Sequence, residues 1–244
     1  MPQNLAGLTA IITGAGGGIG HATAVRLAAE GMNIVLFGGH NLDKLNATRE
    51  AVEKLAAPCL MLPGDLADTS AYPTMLAQVE QQFGGLDVLI NNAGLALNEP
   101  FADISEETYD RIMTINVRVP FFLTQKCLPL LRRSPRASVI NIASVVSHAG
   151  YPQQSVYVAS KHALLGFTKS LAAECYQDNI RVHAIAPGGV YTDMVKISRP
   201  DLTPEGMILP EDVADLVFFL LANRSNAVID EILVHRVNKQ PFLV

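Results

Sequence analysis

"LTAIITGAGGGIG", residues 8–20, joins an apolar run of strand length to a glycine-rich turn and then to the start of a helix. Residues 8–13 read as a buried strand. From Gly18 to Glu30, Ala22, Val25, Leu27 and Ala28 recur at helical spacing until Gly31 stops the pattern. A strand that turns directly into a helix asks for glycine for three reasons: the chain must bend sharply, its backbone must approach a pyrophosphate, and the helix must pack on the strand. The helix N-terminus then offers N–H groups and a partial positive charge to an anion. The stretch therefore points to a dinucleotide cradle, with a tight turn lacking any ligand as the alternative. Its spacing, Thr13-Gly14-x-x-x-Gly18-x-Gly20, departs from the usual G-x-G-x-x-G.

The same alternation continues outward along the chain. Strands are expected at 33–37, 59–62, 86–91, 137–143, 180–186 and 229–237. Helices are expected at 41–56, 69–83, 106–133, 153–177 and 210–222. In the 41–56 helix, Leu42, Leu45, Val52 and Leu55 share one side and Asn41 is the N-cap; the 106–133 stretch is expected to break at Pro120 and Pro129. The strands are apolar throughout, as required where helices cover both faces of a sheet. Right-handed crossovers then give an α/β fold, a doubly wound parallel sheet of seven strands, in a single domain spanning 1–244.

Composition excludes several classes. A chain with 49% hydrophobic and 17% charged residues has ample core, and a net charge of −5 with one short basic run, "RRSPR" at 132–136, gives no groove for a nucleic acid. The start of the chain lacks a basic region followed by an apolar signal core, and "LVFFLLA" (216–222) is too short to cross a bilayer. The expectation is a soluble, cytoplasmic protein with no membrane partner. Cys59, Cys127 and Cys175 are far apart and form no C-x-x-C, so they read as free thiols, and the six histidines show no metal-ligand spacing. No metal is expected.

"YVASK" (157–161) places Tyr157 and Lys161 one helical turn apart on a common face. A neighbouring ammonium favours a phenolate and should pull the tyrosine from its ordinary value near 10 toward neutrality. Such a group can exchange a proton with a carbonyl or an alcohol. Ser144 follows a strand at the carboxyl edge of the sheet, as do "NNAG" (91–94) and "PGGVYT" (187–192), while Asn116 lies in the preceding helical segment. Together, the glycine turn, Asn91-Asn92-Ala93-Gly94, Asn116, Ser144-x12-Tyr157-x3-Lys161 and Pro187-Gly188-x3-Thr192 resemble the classical short-chain dehydrogenase/reductase family over nearly the whole chain.

The resemblance implies a Rossmann-type enzyme that moves a hydride between NAD or NADP and a ketone or secondary alcohol. It implies Tyr157 as general acid/base, Ser144 as the group polarising the substrate oxygen, Lys161 as the residue tuning Tyr157, and Asn116 as support for a proton-relaying water. The implied cofactor cradle is Gly14, Gly16, Gly17, Gly18, Ile19 and Gly20, with Gly39, His40 and Asn41 at the adenosine ribose and Asp65 and Leu66 at the adenine. Asn92, Ala93 and Gly94 would line the channel, Tyr157 and Lys161 would hold the nicotinamide ribose, and Pro187, Gly188, Val190 and Thr192 the nicotinamide. A homotetramer is implied, packed through the long helices and the final helix and strand, with "PFLV" (241–244) reaching a neighbour or fraying.

His148, Tyr151, Gln153, Tyr191 and Met194 flank the catalytic positions and are candidates for the substrate pocket; segment 193–209 fits a lid. Within the family, reduction of an acyl thioester on a carrier protein is the alternative to a small carbonyl substrate. Arg132, Arg133 and Arg136 could form part of a carrier patch, but Asp178 opposes it. A third alternative is a non-catalytic dinucleotide-binding regulator, against which the complete Asn/Ser/Tyr/Lys set argues. For the cofactor, "GGHN" (38–41) carries no acid to hold a ribose hydroxyl and repel a 2′-phosphate, and no permanent cation to attract one. The missing acid favours NADPH, with use of both cofactors open.

Overall fold

A computed structural model of the protein describes residues 3–39, 41–193, 195 and 203–240. Seven strands form one parallel sheet in the order β3-β2-β1-β4-β5-β6-β7: β1 Thr9–Thr13, β2 Asn33–Phe37, β3 Cys59–Leu62, β4 Val88–Asn91, β5 Ser138–Ile142, β6 Arg181–Pro187 and β7 Glu231–Val234. The helices are α1 Gly18–Ala28, α2 Leu42–Glu53, α3 Tyr72–Phe83, α4 Glu106–Met113, α5 Val119–Leu131, α6 Ser155–Cys175 and α7 Pro210–Ala222.

Adjacent strand residues face opposite sides, and both sides are buried. Ala10 and Ile12 of β1, Ile34 and Leu36 of β2, and Val88 and Ile90 of β4 pack under α1, α2 and α7. Ile11, Val35 and Leu89, from the same strands, pack under α3, α5 and α6. This explains the unbroken apolar strands, each fully buried Ile, Leu or Val contributing about 1.5–3 kcal/mol. Among the described residues, no helix is long and apolar enough to cross a membrane, and no group of three or more His, Cys, Asp or Glu could hold a metal ion.

Three local expectations are corrected. The helical stretch 106–133 does not break at its prolines: Pro120 follows a π-helical turn within continuous helix, and Pro129 sits inside α5. The irregularity is instead a π-helical turn at Thr114–Arg118. Leu42 and Leu55 do not belong to the buried side of α2: Leu42 opens the helix, Leu55 lies past its end, and both are exposed while Leu45 and Val52 are buried. The last strand covers only Glu231–Val234, paired with β6 from Ala184 to Pro187.

β1 and β4 lie side by side although one begins the first half of the sheet and the other the second, so the chain ends at their carboxyl edge diverge and leave a crevice. A buried polar network steadies that edge. Asn91 Nδ2 donates to Asn141 Oδ1 at 2.8 Å and to Thr124 Oγ1 of α5 at 3.1 Å, and Asn141 Nδ2 donates to Thr168 Oγ1 of α6 at 2.8 Å. Removing one member would leave the others unpaired in the core.

At the end of β2, Gly38 has φ +86°, and a Cβ there would stand 2.6 Å from Leu66 Cγ. Gly38→Ala should therefore cost about 2–4 kcal/mol, from left-handed strain together with overpacking. Urea unfolding would show the loss, and Gly38→Ala combined with Leu66→Ala should cost less than the sum of the single changes. An unchanged midpoint for Gly38→Ala would contradict this reading of the turn.

Candidate active site

The glycine turn is held in place from across the crevice. Thr13 Oγ1 accepts the N–H groups of Asn92 and Ala93, both at 3.0 Å, and Asn92 Nδ2 donates to Thr13 O at 2.9 Å and to Gly14 O at 3.2 Å. The Asn92 amide thus fastens the turn from the β4 side of the crevice. A Cβ on Gly14 would stand 2.9 Å from Ala93 Cα, and one on Gly20 only 2.6 Å from Asn92 Nδ2, so both glycines are demanded by close approach. The face over Gly17 is open, and the extended Gly17 residue caps α1 without a side-chain bond. Thr192 closes the far side, its Cγ2 lying 2.9 Å from where a Cβ on Gly18 would be.

β5 and α6 bring together the residues read from the sequence. Ser144 is buried, and its hydroxyl lies 3.4 Å from Pro187 O at the end of β6. Lys161 is only 4% exposed and its Nζ donates to Ile142 O at 2.8 Å, 5.9 Å from the Tyr157 ring centre. Asn116 projects from the π-helical turn and is 1% exposed. Its Oδ1 accepts from Leu95 N at 2.8 Å, and its Nδ2 donates to Leu95 O at 2.8 Å and Ser160 Oγ at 2.9 Å. Asn116 Oδ1 and Lys161 Nζ both come within 3.6 Å of a Cβ built on Gly94, so this glycine keeps the space between them clear. Such π-turns often re-aim a single side chain at a functional site.

Electrostatics corrects one expectation. Burial pushes the Tyr157 phenol up, with Ser144 pulling the other way, and burial brings the Lys161 ammonium down to about 8. The expected pull toward neutrality is outweighed: desolvation, which penalises the charged form of each group, is the leading cause for both.

The remaining predicted residues divide. Val190 is buried and pairs with Ile208, while Pro187 and Gly188 lie against the end of β7, Gly188 N donating to Val234 O at 2.8 Å. Leu66 fills the space over Gly38, Gly39 faces open space, Asn41 caps α2 through Lys44 N at 3.0 Å, and Asp65 Oδ1 accepts from Ala67 N at 2.9 Å. His148 pairs with Glu231 Oε1 at 2.5 Å. Gln153 is exposed with φ +64°, its carbonyl accepting Glu99 N; Tyr151 and Tyr191 are half-buried. His40 and Met194, the centre of segment 193–209 and the tail 241–244 lie outside the described residues.

One residue near the turn was missed. Lys44 Cβ lies 3.5 Å from a Cβ built on Gly16, and Lys44 Nζ meets Asp193 Oδ2 at 2.6 Å. A permanent cation therefore borders the glycine turn, supplied by the first turn of α2 rather than by the end of β2. Its spacing from Asn41, three residues on in a capped helix, was the available signal.

The short chain dehydrogenase family model matches residues 8–203. The chain belongs to the short-chain dehydrogenase family. It is similar to a D-beta-hydroxybutyrate dehydrogenase of Rhizobium meliloti, 36% identical over 210 residues, 86% of this chain and 81% of the relative. Among solved structures, a metagenomic short-chain oxidoreductase in complex with NADP superposes with a TM-score of 0.84 at 28% identity, covering 97% of this chain and 100% of the other. A short chain dehydrogenase from Mycobacterium paratuberculosis bound to NAD gives 0.85 at 29% identity, covering 95% and 97%.

As a short-chain dehydrogenase the protein is an oxidoreductase, and its surface bears on the class of substrate. Arg132 pairs with Asp178 at 2.7 Å and Arg133 with Glu80 at 2.7 Å, while Arg136 donates to Asn4 O at 2.7 Å. The three arginines considered for a carrier patch thus have partners within the chain. The buried lysine also marks this dehydrogenase by its pH response. Lys161 is lowered to about 8 in the folded chain and is near 10.5 when unfolded, so between those values the unfolded state holds more protons and stability rises with pH. Unfolding free energy should rise by about 2 kcal/mol between pH 7.5 and 9.5 relative to Lys161→Met. Equal pH dependence in the two proteins, measured by urea titration, would count against it.

Proposed function

We propose that this dehydrogenase interconverts a ketone and a secondary alcohol with a nicotinamide cofactor, through Tyr157, Ser144, Lys161 and Asn116, in one catalytic unit spanning the chain. The convergence of Ser144, Tyr157 and Lys161 on the crevice beside the glycine turn carries this reading. The residues present fit a dinucleotide: the turn has open backbone over Gly17 and Gly39, and Gly14 and Gly20 hold it close to the β4 loop. Gly16, Gly17, Gly18 and Ile19 would hold the pyrophosphate; Asp65 and Leu66 the adenine; Ala93, Gly94, Tyr157 and Lys161 the ribose beside the nicotinamide; Val190 and Thr192 the carboxamide. When bound, the cofactor supplies or accepts the hydride.

The protein then supplies orientation and a proton. Ser144 donates a hydrogen bond to the substrate oxygen and polarises it. Tyr157, kept protonated by burial, is in the form that gives its proton to that oxygen during reduction. Lys161 and Asn116, adjoining Gly94, restore that proton to Tyr157 through water. The internal pairing of Arg132, Arg133 and Arg136 favours a small carbonyl compound over a carrier-borne thioester.

Lys44 strengthens the case for NADPH. Its side chain begins against Gly16, and its ammonium, on leaving Asp193, can meet a 2′-phosphate that no acid at Gly38 or Gly39 repels. The exposed face of α5 and α6, where Phe121 and Phe167 meet at 5.0 Å beside a groove of about 390 Å³, supports assembly into a homotetramer through these helices.

Tyr157→Phe should lower kcat roughly 10³-fold while cofactor binds within a few-fold of wild type. Retained turnover, followed by NAD(P)H absorbance over a ketone panel, would defeat the assignment. Lys44→Ala should weaken NADPH roughly fivefold and leave NADH unchanged, whereas Asp193→Asn should tighten NADPH. Fluorescence titration reads both, and equal effects on the two cofactors would reject the 2′-phosphate role.

A further inference from the structure

We infer that Arg236 is a substrate-binding residue of this site and that the substrate is a short oxo acid or its hydroxy acid, held by its carboxylate. The inference rests on the reaction proposed above and adds its substrate class.

β7 runs parallel to β6 and ends at Val234, so the residues that follow emerge at the same carboxyl edge as Ser144 and the Pro187–Val190 loop. Gly188 N donates to Val234 O at 2.8 Å, which fixes the two chain ends side by side. Arg236 then folds back over that loop: a Cβ on Gly189 would meet Arg236 Cδ at 3.5 Å and Nε at 3.7 Å. Ser144 Oγ lies 3.4 Å from Pro187 O, two residues before Gly189. Gly189 lies two residues beyond Pro187, so the guanidinium and the oxygen-polarising hydroxyl flank the same short loop at the carboxyl edge of the sheet.

Exposed Arg111 and Arg118 face solvent, whereas the more enclosed arginines are mostly paired. Arg26, Arg132 and Arg133 meet carboxylates, and Arg136, Arg181 and Arg224 donate to backbone carbonyls. Arg236 is half-buried, and its described side-chain hydrogen bond runs from Nη1 to Met207 Sδ at 3.2 Å. A thioether is a weak acceptor for a fork of five N–H donors. No carboxylate among the described residues pairs with Arg236, so the group best able to complete it is a planar anion arriving in the cleft. Met207 and Ile208 are buried beside it, in the described part of the segment expected to form a lid, and Met207 Cε is 3.2 Å from the same Gly189 Cβ position. The anion would therefore sit beside Met207, its apolar carbons against that side chain and its charge on Arg236. Glycine at 189 leaves the room that the guanidinium occupies.

Matched pairs test this: 3-oxobutanoate and 4-oxopentanoate against their methyl esters, with NADPH and NADH. Wild type should favour each acid at least about 50-fold in kcat/KM. Arg236→Gln should erase most of that preference by raising KM for the acids far more than for the esters, while Arg236→Lys keeps part of it. Equal use of acid and ester by wild type, or an equal loss on both in Arg236→Gln, overturns the inference. So does a preference for an oxo phosphate ester over both acids. Calorimetric binding of 3-hydroxybutanoate and its amide to the protein holding oxidised cofactor reads the same contact without turnover. Binding that ignores Arg236 overturns the inference. Arg236-dependent binding without turnover of any carbonyl compound supports it and defeats the proposed reaction instead.

Discussion

Two chain ends meet at the centre of the sheet with no side chain between them. Gly14 lies against Ala93, and Gly20 lies against Gly14 O and Asn92 Nδ2. Because β1 and β4 are neighbours there, the turn after β1 and the turn after β4 must share one small volume, and glycine is what lets them. Thr13 and Asn92 then bond the two turns through their side chains. The crevice owes its shape to this contact: α1 begins where it does because Gly14 turns against Ala93, and Gly94 lies two residues from Asn92, between Asn116 and Lys161. A methyl group at either glycine would disturb both halves of the site.

Around that contact the protein tolerates a costly arrangement. Lys161 is carried into the interior by a helix of 21 residues and receives one backbone carbonyl in place of its water shell. Its lowered proton affinity is the thermodynamic trace of that burial. The rest of α6 offsets the cost through apolar packing, with Val156, Leu164, Leu165 and Leu171 all buried, and through Thr168, which joins the Asn91–Asn141 network. Stability is given up at one position and recovered along the helix that presents it.

Much of this was legible in the sequence, for identifiable reasons. Strands buried on both faces betray themselves as unbroken apolar runs, so β1, β2 and β4 could be placed to within two residues. The glycine turn, Asn116, Ser144, Tyr157 and Lys161 carry their spacing in the chain itself. What escaped depends on contacts between distant segments. Lys44 meets Asp193 across 149 residues, and His148 meets Glu231 across 83, so neither pairing leaves a local pattern. The π-turn that aims Asn116 has no composition cue, and prolines that seemed to break the helix are accommodated within it. The lowered acidity of Tyr157 was misjudged because spacing reports proximity to a cation but not the loss of water around both groups.

The two glycines after β2 limit how the protein can be altered. Position 38 is occupied up to its α-carbon by Leu66, and position 39, though open, holds φ at +105°. An aspartate or glutamate introduced at 38 would meet a wall, and at 39 an unfavourable backbone. No single substitution at either position brings a carboxylate to this edge of the crevice without strain. A lineage descended from this chain could place an acid at position 38 only after Leu66 had shrunk or the turn had been rebuilt, so geometry rather than charge holds this corner against drift.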